Sequence, residues 1–353
     1  MSRILLAPEN PAGVATALRD ALRARGHAAD VVSFRAHPFG YAHDRLAATP
    51  QARVKEGLAA LHRYDVLHWQ FGTTLLEFLE AAAARARPRR PLQLMHYWGD
   101  DARTVRRAQE LGSPRAGPLA AQAGERDDRT VERRLRLAGR LCDAALVSDL
   151  ELARFVSPHF RRLYVVPTPL GPLPPLAGGA SDGRPPVVFH APSNRQAKGT
   201  AEIEPVLLAL EAEGVLRGRI VSGVPRDEVL AAITAADVVV DQLGTEAPGV
   251  LALEAMALGR PVLAEYRPDL LAPFARRSPA VRTSASTLRR DLMALCADPG
   301  RRSELGDAGR TFVADVHAAG RVAAAHEHIH RHARQAAPGR YQATAEGITP
   351  LSP

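Results

Sequence analysis

The chain has 353 residues, 46% of them hydrophobic, which is enough for two packed cores and more than one typical domain needs. A formal charge of +8 and a pI near 10.1 permit contact with anions, but the arginines are scattered among Asp and Glu, which argues against the coherent basic face of a dedicated nucleic-acid binder. Cys142 and Cys296 are too far apart and too few for a disulfide framework or a thiolate metal site. No apolar run reaches the length of a signal peptide or a membrane span, so the expected location is the cytoplasm.

Ile4 to Ala7 reads as a first strand, and Gly13 to Arg25 as a helix with Val14, Ala17, Leu18, Ala21 and Leu22 along one face. Only Gly13 stands in the loop between them, so the glycine fingerprint for a pyrophosphate is absent. Val31-Val32 starts another strand, and residues 36–50 form an irregular stretch, either surface loop or cleft lining. Asp65 to Gln70 and Pro91 to Met95 read as strands flanking a helix around Leu75, Leu76, Phe78 and Leu79. The second strand runs out into His96-Tyr97-Trp98-Gly99-Asp100-Asp101, whose aromatic faces and carboxylates suit hydroxylated ligands or a cation. For His96 alone, a structural histidine is the plain alternative. No compact ligand set accompanies it, so no metal is expected. Gly112 to Arg129 reads as loop or cover, Val131 to Leu141 as helix and Ala144 to Val147 as strand, with Ser148 or Asp149 able to cap the next helix. Tyr164 to Val166 is the last strand of this half, and a Pro- and Gly-rich run follows, with Ala180-Ser181-Asp182-Gly183 at its centre.

The second half begins with the strand Val187-Val188-Phe189 and the loop HAPSNRQAKGT, where Arg195 can donate bidentately and Lys198 supplies a compact charge. Amides at the start of the following helix add favourable partial charge, so the loop suits a diphosphate, although it lacks Walker spacing. Arg219 to Val221 and Val238 to Val240 are the next strands. After the second comes a polar turn, a helix from Val250 to Leu258, the stop Gly259, and a strand from Pro261. This βαβ unit places its loop at the carboxyl end of a strand, where open α/β sheets bind ligands. Read without further context, Glu246 is a loop carboxylate able to face a ligand or to sit at a helix start, and Glu254 a helix residue that can be solvated. Thr287 can cap a helix from Leu288 to Cys296. His326, His328, His330 and His332 alternate by two, which does not align all four on one helical face, and they read as a solvated helix.

The second half resembles the donor-binding domain of the GT-B glycosyltransferases, in particular the retaining family 4 group. The residues that carry the likeness are HAPSNRQAKGT, with Arg195 and Lys198 at the phosphate-binding positions, and the Glu-x7-Glu element EAPGVLALE from Glu246 to Glu254, followed by EAMALGRPV. In the first half LMHYWGDD is similar to the family's loop bearing a histidine that contacts the donor sugar, and His96 occupies that place. The resemblance implies an α/β chain of two Rossmann-like domains facing across a cleft. The first, acceptor-binding domain would span residues 1–170, a linker 171–186 and the donor-binding domain 187–320. A helix over 321–335 would pack back on the first domain, ahead of a loose tail over 336–353. It also implies a catalytic set of His96, Arg195, Lys198 and Glu246, and a donor-binding set of Ser193, Arg195, Lys198, Gly199, Glu246, Pro248, Gly249, Val250 and Glu254. In that set Glu246 would meet the sugar and Glu254 the ribose. The implied activity is sugar transfer with retention, from a nucleotide-sugar used as substrate, with no permanently bound cofactor. The acceptor would be a small molecule, glycan or lipid-linked group. A nucleotide-sugar epimerase or hydrolase, and a noncatalytic nucleotide- or glycan-binding module, are the alternatives.

Overall fold

A computed structural model describes residues 1–121, 127–174 and 184–351. The first domain opens with strand β1 (Arg3–Ala7), helix α1 (Val14–Ala24), β2 (Ala28–Ser33), β3 (Arg45–Leu46), α2 (Pro50–Arg63), β4 (Val66–Gln70), α3 (Leu79–Arg85) and β5 (Leu92–His96). It continues through α4 (Val105–Glu110), α5 (Ala116–Ala121), α6 (Asp128–Leu141), β6 (Ala144–Val147), α7 (Leu150–Val156) and β7 (Arg162–Val165). The second domain comprises β8 (Val187–His190), α8 (Thr200–Ala212), β9 (Arg217–Ile220), α9 (Arg226–Ala235), β10 (Val238–Val240), α10 (Val250–Ala257), β11 (Val262–Ala264), β12 (Val281–Arg282), α11 (Leu288–Ala297) and α12 (Pro299–Val316). The chain then returns to the first domain as α13 (Ala319–His332), β13 (Gly339–Thr344) and β14 (Gly347–Pro350).

Two sheets result. The first runs in the order β14-β13-β7-β6-β5-β4-β1-β2-β3 and the second β12-β11-β10-β8-β9; every pairing is parallel except β13 with β14. Helices cover both faces, which is why strands such as β6 and β10 are apolar and buried along their whole length. Strand order reverses at β1 in one sheet and at β8 in the other, and these switch points open a crevice beyond the strand ends. This is the GT-B architecture, two Rossmann-like domains facing across a cleft. The chain crosses between them at neighbouring points, where the Leu170 amide donates to the His317 carbonyl at 2.8 Å. The central Ala180–Gly183 part of the Pro- and Gly-rich run lies outside the described residues.

Four sequence readings need correction. Residues 339–350 are strands, not a loose tail: β13 covers the edge of β7, Tyr341 is buried, and its ring stacks on Tyr164 at 5.3 Å. The histidine-bearing helix is not solvated. His326 and His330, four residues apart on α13, share a face turned towards His68 and α1. The stretch 112–129 is not merely loop, since it contains α5 and the start of α6. Thr287 makes no capping bond to its helix. Helix α2 escaped sequence reading because its buried residues are Glu56, Gly57 and Ala60, which make no apolar stripe.

Candidate active site

A cleft of about 590 Å³ lies between the strand ends of the two sheets. The second domain contributes the segments that follow β8, β9, β10 and β11. After β8, the loop turns at Gly199, whose φ of +67° and close approach to Leu243 leave no room for a side chain: a Cβ there would lie 2.8 Å from that of Leu243. The carbonyl of Lys198 accepts from the Leu243 amide, which ties this loop to the one after β10. Lys198 therefore points into the cleft, donating to the Gln242 side chain. Around it, a Cβ on Gly249 would stand 3.1 Å from Lys198 Nζ and 3.2 Å from both carboxylate oxygens of Asp241. Asp241 accepts from the Gly249 amide at 2.5 Å through one oxygen; its other oxygen has no partner among the described residues. Burial lowers the pKa of Lys198, with Arg115 and Arg103 acting in the same direction and Asp241 and Asp100 against it.

Glu246 is 2% exposed and joins the domains. Its carboxylate accepts from Ser113 Oγ at 2.5 Å, from Arg154 at 3.3 Å and from Arg267 at 3.5 Å; the first two belong to the first domain. A carboxylate offers roughly four acceptor sites, so capacity remains for a ligand hydroxyl. Glu254 is buried rather than solvated; it accepts from Arg226 at 2.9 Å, and burial raises its pKa despite that guanidinium. Pro248, Gly249 and Val250 line the cleft at the start of α10, as does Ser193 in the β8 loop.

Three expected residues do not line the cleft: Gly199, which turns the chain behind Lys198, and Arg195 and His96. Arg195 is exposed and bonds Glu204 at 2.6 Å on the outer side of α8. His96 closes β5 instead of opening its loop. Alternation along the strand turns it to the face shared by Leu94, and it is 1% exposed between His68, His326 and the ring of Trp98, 3.8 Å away. Neither ring nitrogen has a partner among the described residues, and burial holds its pKa well below the usual histidine range. Of the run His96-Tyr97-Trp98, it is Trp98 that lines the cleft, its indole N–H donating to Gln70 at 2.8 Å. Asp101 folds back to accept the Trp98 and Gly99 amides, and burial lifts it to about 6.

Sequence reading marked Asp100 and the stretch 36–50 as able to face a ligand, but not the arginines and Glu151 that the first domain adds. Asp100 faces Arg103 and Arg115 in the cleft, and Glu151 grips Arg103 at 2.6 and 2.9 Å. His37, Phe39 and Tyr41, from the irregular stretch after β2, line the cleft as well. The lone Gly13 serves this loop: at φ +72° it sits under Tyr41, whose ring would be 2.3 Å from a Cβ there. Asp241 was legible as a charge ending a β-branched run; nothing local marked Ser113 or Arg115. Among the described residues no group of His, Cys, Asp and Glu is placed to hold a metal ion, and no helix is long and apolar enough to cross a membrane.

Solved structures with this architecture cover nearly the whole chain. A sucrose-phosphate synthase from Thermosynechococcus elongatus superposes with a TM-score of 0.65 at 18% identity, over 93% of this chain and 98% of that one. Anabaena HepE, solved in complex with UDP-glucose, gives 0.60 at 15% identity over 90% and 96%. An alpha-glucosyltransferase solved with UDP and a 13-mer DNA gives 0.58 at 10% identity over 90% and 96%. At such identities the likeness is one of fold. No protein-family model matches the sequence. No curated protein matches it either.

Proposed function

We propose that the chain transfers a sugar from a nucleotide-sugar to an acceptor hydroxyl, with retention at the anomeric carbon, in the manner of the family 4 glycosyltransferases. The observation that carries this reading is convergence: Lys198, Glu246 and Glu254, from separate positions in the second domain, line one cleft opposite Trp98, Asp100 and Arg103. Lys198 meets the diphosphate, the amides opening α8 and α10 add partial positive charge, Glu246 accepts from sugar hydroxyls, and Glu254 accepts from the ribose. The bond between the anomeric carbon and the diphosphate oxygen breaks as the acceptor oxygen bonds that carbon from the same face. The acceptor's proton passes to the departing diphosphate, whose growing charge Lys198 stabilises. The acceptor is a small molecule, a glycan or a lipid-linked group.

Incubating the protein with a panel of nucleotide-sugars and hydroxylated acceptors tests the reading. The expected products are a nucleoside diphosphate and a glycoside whose anomeric coupling, measured by NMR, matches that of the donor. An altered free nucleotide-sugar would indicate epimerisation, free sugar alone hydrolysis, and binding without turnover a noncatalytic module. Each of these outcomes would overturn the proposal.

A further inference from the structure

The segment Ser113-Pro114-Arg115 crosses from the first domain to the second. Ser113 reaches the Glu246 carboxylate, and Arg115 Nη1 donates to the carbonyl of Ala197 at 2.8 Å. Ala197 immediately precedes Lys198, so one short piece of the first domain holds both loops in which sugar and phosphate recognition are proposed. Arg115 is 6% exposed and lines the cleft; Nη2 donates to the two Asp100 oxygens at 3.2 and 3.3 Å, and Nε has no partner among the described residues. Its neighbour Arg103 is already engaged by Glu151 through two bonds. Arg195, the guanidinium that the β8 loop itself supplies, is turned outward onto Glu204.

One ammonium leaves most of a diphosphate's charge unneutralised, and a guanidinium's planar, paired donors match phosphoryl oxygens, so a second cation of that kind suits the subsite beside Lys198. We propose that Arg115, reaching across from the opposing domain, is the guanidinium of the diphosphate subsite, and that Arg195 takes no part in it. The inference rests on the nucleotide-sugar reading of the cleft and specifies which side chains recognise its phosphates. Two consequences follow from the geometry. Phosphate binding draws on both domains, so it requires the closed arrangement that the Ala197 and Glu246 contacts hold. Asp100 serves as the counter-charge that keeps Arg115 extended in the absence of phosphate.

The test is calorimetric titration of the full chain with UDP, GDP and ADP, and with the corresponding nucleosides, for the wild type, R115A, R115K and R195A. For the tightest-binding diphosphate, R115A is expected to weaken affinity by about tenfold or more while leaving nucleoside affinity within about twofold; R115K should fall between R115A and the wild type, and R195A should match the wild type. Equal losses for diphosphate and nucleoside in R115A would make Arg115 an interdomain tie only and overturn the assignment. So would unchanged diphosphate binding in R115A with a large loss in R195A; in both cases the nucleotide reading survives. No diphosphate binding by the wild type would remove that reading and this assignment together. Unfolding midpoints confirm that the variants compared are folded, and R115K supplies the comparison if R115A is not.

Discussion

The interior behind β4 and β5 and the cleft beyond their ends treat polar groups in opposite ways. On the side covered by α1 and α13, His68, His96, His326 and His330 pack ring against ring, and none of their nitrogens has a hydrogen-bond partner among the described residues. At the cleft, Asp100, Glu151 and Glu246 each meet at least one guanidinium. Burial without a partner drives an ionisable group to its neutral form, whereas burial with a partner lets it keep its charge. The histidine side accordingly behaves as core, and only the cleft side retains charges with which to hold a ligand. The residue that looked most like a sugar contact, His96, belongs to the first group.

The largest effect that would break this contrast is expected at the back of the sheet. Removing residues 339–353 strips β13 and β14 from β7 and exposes Tyr164, which Tyr341 now covers. Burial of Tyr341, Ala343 and Ile348 against the core predicts a loss of about 4 kcal/mol or more, read from urea unfolding. Full stability after truncation would mean that these strands are ornamental.

At the cleft, Glu246→Gln preserves size but replaces a carboxylate that two arginines share. Turnover should drop on the order of a hundredfold, equivalent to about 2.7 kcal/mol of barrier, while the unfolding midpoint moves little. A variant that is fully active would remove Glu246 from the reacting centre. One that is chiefly unstable would move it to the structural side of the contrast.

The histidine cluster should sharpen the comparison through acid. Burial lowers the pKa of His68, His96 and His326 well below 6.5, and that of His330 to about 4. The unfolded chain takes up protons as pH falls through about 6.5, before the folded chain does. Stability is therefore complete above that pH and declines towards pH 4, by about 1.4 kcal/mol per pH unit for each histidine held neutral. Replacing His326 by Leu should raise stability at pH 5 relative to pH 7.5 by about 2 kcal/mol, compared with the wild type, and leave turnover at neutral pH unaltered. An acid limb of unchanged slope in H326L urea titrations would show that the cluster does not govern acid sensitivity.

The smallest effect belongs to Arg195. Its partner Glu204 is on the surface, so R195A should change stability by less than about 1 kcal/mol. Matched urea curves check this, and a larger shift would mean that the pair does more than an exposed ion pair does.

Much of the architecture was legible in the chain. Hydrophobic periods marked most strands and helices, and the β8 loop and the Glu246 to Glu254 element stood out because their chemistry is compressed into short stretches. Lys198 and both glutamates line the cleft because loop position and helix start determine where those side chains lie. The failures share a cause. Arg195 and Lys198 are three residues apart in one polar loop, and the turn at Gly199 sends one inward and the other out. His96 was one residue too early to leave the strand, and that single step assigns it to the opposite face of the sheet.

The sequence by itself determined that there are two parallel, doubly covered sheets and that the second carries a cation and carboxylates at its strand ends, because propensity, periodicity and loop chemistry act over a few neighbouring residues. Only the tertiary structure decided that Ser113 and Arg115 reach across to Glu246 and Ala197, that four histidines share one interior, and that the terminal residues complete the first sheet. Those contacts join residues up to 258 positions apart, the separation of His68 and His326. Their energies depend on desolvation and on packing against elements remote in the chain, which no local pattern records.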